Sequence, residues 1–377
     1  MNTETKTGIW AITPGGGKLG LKLVEKLDNA DFYIPKWLED SFDFRRSGIR
    51  NGRDMTKSCC RGKIFVFKSL AEKIKEKFTE YSGHVFIFST GIAVRVIAPL
   101  LQSKLKDPAV VVIDDRACHA ISLVSGHIGN ANELAEKIAE LTGADPVITT
   151  ATDVNNLPSI DMIAQKHNLI IENPKMIKKI NMAFLKKKKI NLIDPYGLVS
   201  QFLPDKFYKL HETDQDLRQP PPTTFSTLPS VLCSDEIINI SRETLILRPL
   251  SLIVGIGCNR NTSSCEIKNF LKKTFNDLLL SLKSIKFLAS SDIKQDEKGL
   301  LELADEMNLQ IKFYNKDQLN SVKTIQNPSA MVEKHIGVKS VCEAAAILAS
   351  KNGKLLVPKM KKGNVTLAVA RKPLNYL

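Results

Sequence analysis

Across the first 200 residues, short apolar runs rich in β-branched residues alternate with segments of helical period, and this alternation restricts the chain more than any other feature. Gly8–Thr13, Ile64–Lys68, His84–Ser89 and Ala109–Ile113 are strand-like runs, whereas Leu19–Leu27, Leu70–Tyr81 and Asn132–Leu141 space their apolar residues three and four apart, with Glu and Lys between. Strand, crossover helix, strand is the unit of an open sheet. The pattern predicts an α/β fold: an open, largely parallel sheet with flanking helices in the N-terminal part.

After Asp153 the pattern loosens, with a helix near Ile160–His167, a strand at Leu169–Ile171 and a Lys-rich helix after Pro174. From Leu203 to Pro249 the composition shifts to Pro, Thr, Ser and Asp, including Pro220, Pro221 and Pro222, which suits an irregular lobe or linker. From Ser251 the alternation returns. A strand at Ser251–Gly255, helices at Cys265–Leu280, Lys298–Met307 and Ser340–Ala349, a strand at Ile285–Ala289 and a closing hairpin around Gly363-Asn364 describe a separate C-terminal α/β domain. The expected division is an N-terminal α/β domain (1–145), a middle region with the Pro-rich lobe (146–249) and the C-terminal domain (250–377).

Charge narrows the partners. With 54 Lys and Arg against 40 Asp and Glu, the net charge is +14 and the molecule should draw in anions. Aromatics are 6% of the chain and the densest basic run, Lys186–Lys189, holds none, so the interleaving that stacks bases is missing and nucleic acid is not expected. Seven scattered Cys without a CxxC pair signal neither a disulfide framework nor a zinc site. With no secretory pattern at the start and no window approaching a spanning helix, the expectation is a cytoplasmic protein without a membrane partner. His84, His119, His167, His211 and His335 are isolated, and no metal-ligand spacing appears among them.

Gly15-Gly16-Gly17-Lys18-Leu19-Gly20 fits a dinucleotide-binding turn between strand and helix. However, the following strand ends in Pro35-Lys36 instead of an acid, and a plain tight strand-to-helix connection is the better account of the glycines. A stronger candidate is a set of polar, Gly- or Thr-rich strand ends: Ser89-Thr90-Gly91 leading to Arg95, Ser125-Gly126-His127 leading through Gly129 to Asn132 and Glu133, and Thr149-Thr150-Ala151-Thr152-Asp153. Open α/β sheets bind ligands at the carboxyl ends of their strands.

Each residue has two readings. His127, between glycines at the start of a helix, suits a general base or a plain hydrogen-bonding role. Arg95 meets a structural carboxylate such as Asp114 or an anionic ligand. Asp153 either caps a turn or orients His127. Ser125 would share a side with His127 roughly 6 to 7 Å away in extended chain, but no GxSxG elbow presents it. Asn132 and Glu133 open a helix, where capping is their ordinary work. Gly255-Ile-Gly257-Cys258-Asn259-Arg260 repeats the glycine-rich pattern in the C-terminal domain and would suit a carboxylate or phosphate.

The stretches GIAVRVIAPLLQSKLKDPAVVVIDD, SLVSGHIGNANELAEKIAE and PVITTATD closely resemble the CbiG family of cobalamin biosynthesis, as do VGIGCNR, LASSDIKQDEKGLLELA, GVKSVCEAAAILAS and KLLVPKMKKGNVTLAVAR near the C-terminus. The resemblance runs from about Gly83 onward and is weak through the Pro-rich middle. Ile128 and Asn130 stand where the family's GHRGGAN has Arg and Gly, and Asn259 replaces a basic residue.

The resemblance implies cobalt-precorrin-5A hydrolase activity, in which water opens the ring-A δ-lactone of a cobalt tetrapyrrole and the two-carbon fragment leaves as acetaldehyde. It implies a polyanionic substrate that carries the cobalt, no resident cofactor, and other corrin-pathway enzymes as partners. His127, Asp153 and Arg95 would be catalytic. Gly91, Ser125, Gly126, Gly129, Asn132, Glu133, Thr149, Thr150, Arg260 and Lys294 would contact substrate. Two other classes stay open: a carrier that escorts the corrinoid without catalysis, and an oxidoreductase using Gly15–Gly20 and Lys36.

Overall fold

The computed structural model describes residues 6–39, 41, 63–103, 106–127, 129–211, 228–328, 337–351 and 353–374. Cys59, Cys60, Ile128, Pro220, Pro221, Pro222 and His335 lie outside them. The chain divides into two compact units, Met1–Leu157 and Pro158–Leu377.

The first unit runs β1 (Thr7–Ala11), α1 (Pro14–Lys26), β2 (Ala30–Pro35), α2 (Lys36–Glu39), β3 (Ile64–Phe67), α3 (Leu70–Lys77), β4 (Gly83–Ile87), α4 (Thr90–Ile97), β5 (Ala109–Ile113), β6 (His119–Val124), α5 (Ala131–Thr142), β7 (Asp145–Val147) and α6 (Ala151–Val154). The sheet order is β3-β2-β1-β4-β5-β6-β7. Its inner strands, such as β4 and β5, read as near-continuous apolar runs because both faces are buried. Ile9, Phe32, Val85 and Val111 pack with α1 and α5, while their neighbours Trp10, Tyr33, Phe86 and Val112 pack with α3 and α4.

One reversal organises the site. β1 to β5 are parallel, but β6 pairs antiparallel with β5, Val110 opposite Val124 and Ile113 opposite Ala120, and β7 runs parallel to β6. The carboxyl ends of β6 and β7 therefore share the sheet edge where β4 and β5 begin. The carboxyl end of β4, with Ser89, Thr90 and Gly91, lies at the opposite edge. The expected grouping of three strand ends is corrected to two.

In the second unit, α7 (Ile160–Lys166), β8 (Leu169–Ile171), α8 (Ile177–Leu185), β9 (Ile190–Ile193), β10 (Tyr208–His211), β11 (Ser230–Cys233) and β12 (Thr244–Pro249) precede a sheet-and-helix layer. That layer holds β13 (Leu252–Cys258), α9 (Ser264–Asp277), β14 (Ile285–Ser291), α10 (Lys298–Met307), β15 (Gln310–Tyr314), α11 (Lys316–Asn320), α12 (Val341–Ala349), β16 (Lys354–Lys362) and β17 (Val365–Arg371). The two sheets are ordered β10-β9-β11-β12-β8 and β15-β14-β13-β17-β16. The stretch expected to be irregular thus supplies β11 and β12, two inner strands whose buried Val231, Leu232, Leu245 and Leu247 outweigh the polar residues around them. The expected closing hairpin is β16 and β17, turning at Gly363-Asn364.

The two sheets of this unit are tied by a buried carboxylate. Asp235, just after β11, accepts Arg371 Nε and Nη2 at 2.8 Å each and Ser251 Oγ at 2.6 Å. Tyr196 donates to it at 3.2 Å.

Candidate active site at the ends of β6 and β7

After β6 the backbone turns sharply. Ser125 adopts φ +61° and Asn130 φ +68°, and the turn closes through Ala131 N–H to Ser125 O (3.1 Å), Asn132 N–H to Gly126 O (3.0 Å) and Asn130 N–H to His127 O (2.9 Å). Glycine is required here by contact: a Cβ on Gly129 would lie 2.3 Å from Ser125 Cβ, and one on Gly126 would lie 2.8 Å from Asn132 Oδ1. The turn is thereby compact enough to deliver His127 and Asn132 to the same place. Ser125 Oγ is buried and makes no hydrogen bond among the described residues. Its left-handed backbone stores strain of the kind found at functional sites.

The parallel neighbour β7 ends alongside and leads to Thr150, Thr152 and Asp153 on α6. His127 Nε2 is 2.8 Å from Asp153 Oδ2 and 3.1 Å from Thr152 Oγ1. Asn132, 8% exposed, donates its amide to the same Asp153 oxygen at 2.9 Å and to Thr150 Oγ1 at 3.0 Å, while its carbonyl accepts from Ser122 Oγ at 2.7 Å. A carboxylate accepting from Nε2 fixes the proton there, so the basic nitrogen of the neutral ring is Nδ1. Asp153 then offsets the charge that the ring gains on taking up a proton. The arrangement can remove a proton from a bound nucleophile and return it.

His127, Asp153, Asn132 and Thr150 are thus brought together, with Gly126, Gly129 and Ser125 forming the turn that carries them. Glu133 and Thr149 are exposed beside it. Ser122 and Thr152 join the network without having been singled out. Thr152 belongs to the Thr-rich motif, and Ser122 is a polar residue between the apolar Ile121 and Leu123 of β6.

Gly91 stands at the other sheet edge in open space. Arg95, expected to need a partner because of its apolar surroundings, is exposed instead. The alternative that paired it with Asp114 is not realised: Asp114 accepts the backbone N–H of Arg116, Cys118 and His119.

The other glycine-rich turns are accounted for by packing. α1 begins at Pro14, so Gly15–Gly20 is helical, and Gly20 lies against the Phe32 ring, which a Cβ would meet at 2.2 Å. Asp115 packs on Gly15 and Gly16 and accepts from Thr13 Oγ1 at 2.5 Å, placing the chain's own carboxylate where a dinucleotide phosphate would sit. A Cβ on Gly255 would overlap Cys342 O, so that glycine admits α12 to the sheet.

Arg260 is held by Asp296 and by Ile293 O (2.9 Å), and Lys294 by Glu297 (3.2 Å), so both expected anion contacts are already paired with acids. Burial pushes the Cys258 thiol pKa up, against a thiolate role. No described helix is long and apolar enough to cross a membrane.

Three matches to known families run, with short gaps, from residue 72 to residue 370. Residues 72–153 match "Cobalamin synthesis G N-terminal", 158–249 "Cobalamin biosynthesis central region" and 252–370 "Cobalamin synthesis G C-terminus". A Priestia megaterium protein named cobalt-precorrin-5A hydrolase is 36% identical over 78% of this chain and 80% of its own length. The chain belongs to the CbiG family of cobalamin biosynthesis. A second CbiG relative, from Salmonella typhimurium and bearing the same name, is 31% identical over 98% of this chain and 99% of its own. His127 and Asp153 both fall within the CbiG N-terminal match, with Asp153 as its last residue.

Proposed function

We propose that this chain is a cobalt-precorrin-5A hydrolase and that His127, oriented by Asp153, is its general base. Membership of the CbiG family supports the reaction. The observation that carries the assignment of roles is the convergence of His127 Nε2 and Asn132 Nδ2 on one oxygen of Asp153. The cobalt travels in the substrate, and none of the steps assigned to protein groups needs a resident metal.

In this reading His127 takes a proton from water as the hydroxide bonds to the lactone carbonyl carbon. The acyl carbon–oxygen bond breaks, leaving a carboxylate on the ring-A side chain and the released oxygen on the two-carbon fragment. That oxygen loses its proton and becomes the aldehyde carbonyl as the bond to the macrocycle breaks. The electron pair passes to the ring carbon, which takes up a proton. Backbone N–H groups of the Gly126–Gly129 turn are the candidate donors to the oxyanion, and Arg95 is a candidate contact for peripheral carboxylates.

The test is acetaldehyde release from cobalt-precorrin-5A, followed with a coupled dehydrogenase. Wild-type protein should release one equivalent, and His127→Ala should turn over roughly 10² to 10⁴ times more slowly with an unchanged fold. Equal turnover by the two would remove His127 from the role. Tight binding with no acetaldehyde from wild type would point to a carrier instead.

A further inference from the structure

Four lysines gather at one edge of the third sheet, with no acid paired to any of them among the described residues. Lys286 lies near the start of β14, Lys312 on the adjacent β15, Lys372 immediately after β17 and Lys351 just beyond α12. They belong to one edge: β13 begins at Leu252, which pairs with Ile285 at the start of β14 and with Arg371 at the end of β17, while Phe287 of β14 pairs with Gln310 at the start of β15. Lys312 Nζ sits 4.0 Å and Lys286 Nζ 5.4 Å from the centre of the Phe287 ring.

Lys286, Lys312 and Lys372 are only partly exposed. None of the four makes an ion pair among the described residues, although Lys283, Lys268 and Lys294 in the same unit all do. Partly buried like charges without a counterion are costly. Burial, followed by the charges of Lys372, Lys312 and Lys351, lowers the Lys286 pKa.

A cleft of about 620 Å³ is lined in part by Gly353 and Lys354, which follow Lys351 in the chain. Val322, Ile347, Leu348 and Leu355 give it an apolar wall, and Lys323 and Lys354 stand at its rim. Leu348 connects the two features: it packs in the cluster that holds Phe287, and its carbonyl accepts the Lys351 N–H at 3.0 Å. A cleft with one apolar wall, ammonium groups at its rim and the unpaired lysines joined to it through Leu348 matches a ligand with an apolar body and several carboxylates. Nucleic acid fits less well, because the Phe287 ring is covered by lysine instead of being bare for stacking.

We propose that this edge of the C-terminal sheet is a binding surface for a polycarboxylate tetrapyrrole, the body in the Val322–Leu348 cleft and the carboxylates on Lys286, Lys312, Lys351 and Lys372. The chemical class of the ligand rests on the hydrolase reading, but the surface itself rests on the lysines. The probe is uroporphyrin III, a stable octacarboxylate, titrated by absorbance against the full chain.

The quadruple variant Lys286→Gln, Lys312→Gln, Lys351→Gln and Lys372→Gln should bind at least about tenfold more weakly, with a shallower salt dependence and a melting temperature no lower than wild type. Acetylation of wild-type lysines, read by mass spectrometry, should show these four protected by the porphyrin and Lys186–Lys189 unprotected. Unchanged affinity in the variant, protection confined to Lys186–Lys189, or an oligonucleotide binding the four lysines more tightly than the porphyrin would each overturn the proposal. Since the readout is binding, porphyrin affinity without acetaldehyde release would sink the hydrolase and keep the surface; release with unaltered porphyrin binding in the variant would do the reverse.

Discussion

Asn132 donates its side-chain amide to the Asp153 oxygen that also meets His127 Nε2, and Ser122 holds the other end of that amide. Every polar atom of Asn132's side chain is thereby turned inward, so in the proposed mechanism its effect passes through Asp153. Replacing Asn132 by Ala should lower kcat by roughly 10²-fold, the cost of misplacing a reacting group by about an ångström. KM should stay within about twofold. A loss confined to KM would instead make Asn132 a substrate contact.

The Gly129 contact makes a sharper contrast with Gly91. Gly129→Ala forces Ser125 away, since the new Cβ would lie 2.3 Å from its Cβ, and should destabilise the protein by about 1 to 3 kcal/mol while disordering the His127 turn. Gly91→Ala meets nothing within 4 Å and lies inside α4, so it should be neutral or stabilising by up to about 1 kcal/mol. Thermal melting of the two variants decides; equal melting temperatures would contradict this account.

His84 gives the first unit a pH-dependent stability. It is fully buried, accepts from Trp10 Nε1 at 3.0 Å and donates Nε2–H to Phe78 O at 3.0 Å. Burial lowers its pKa from 6.5 to about 4. Above about pH 6.5 the ring is neutral in folded and unfolded chains alike, and nothing is lost. Below that value the unfolded chain binds a proton that the folded one refuses until about pH 4. Stability should therefore fall by up to roughly 3 kcal/mol as pH drops through this window. Urea titrations of wild type and His84→Gln at pH 7 and pH 4.5 should show a steeper loss for wild type. Parallel losses would contradict it.

In the second unit, Asp235→Asn should destabilise by about 1 to 3 kcal/mol, because Arg371 would lose its two-point carboxylate partner and keep only Glu236, at 2.9 Å, as counter-charge. Changing both residues, Asp235→Leu with Arg371→Met, removes the partly buried guanidinium together with its partner and should cost less than the single substitution. Urea midpoints at neutral pH give the comparison, and a double variant weaker than the single one would refute the explanation.

The sequence showed most of the strands and helices of the first unit because burial on both faces leaves Val110–Ile113 and His84–Ile87 apolar throughout. It did not show direction. β6, His119–Val124, mixes His and Ser with apolar residues on a less buried edge, and nothing in its composition reports that it runs against β5. This is why Gly91 was grouped with His127. β11 and β12 were hidden for a different reason, since each is a short apolar run set among Pro, Ser and Asp. His127 and Asp153 were legible as candidates because each stands in a glycine- or threonine-rich stretch at a strand end. Ser122 was not, because a lone serine in a strand has many ordinary explanations until its partner across the turn is known.

The reversal of β6 and β7 also changes the electrostatics of the molecule. In a sheet whose strands are all parallel, the helices that follow them start at one edge, and the positive ends of their macrodipoles point there together. Here α1 starts at one edge, where Asp115 neutralises it, and α5 starts at the other, beside His127. A negative charge growing on a carbonyl oxygen next to His127 would form near the amino end of α5, where an all-parallel sheet would have presented the carbonyl ends of its helices.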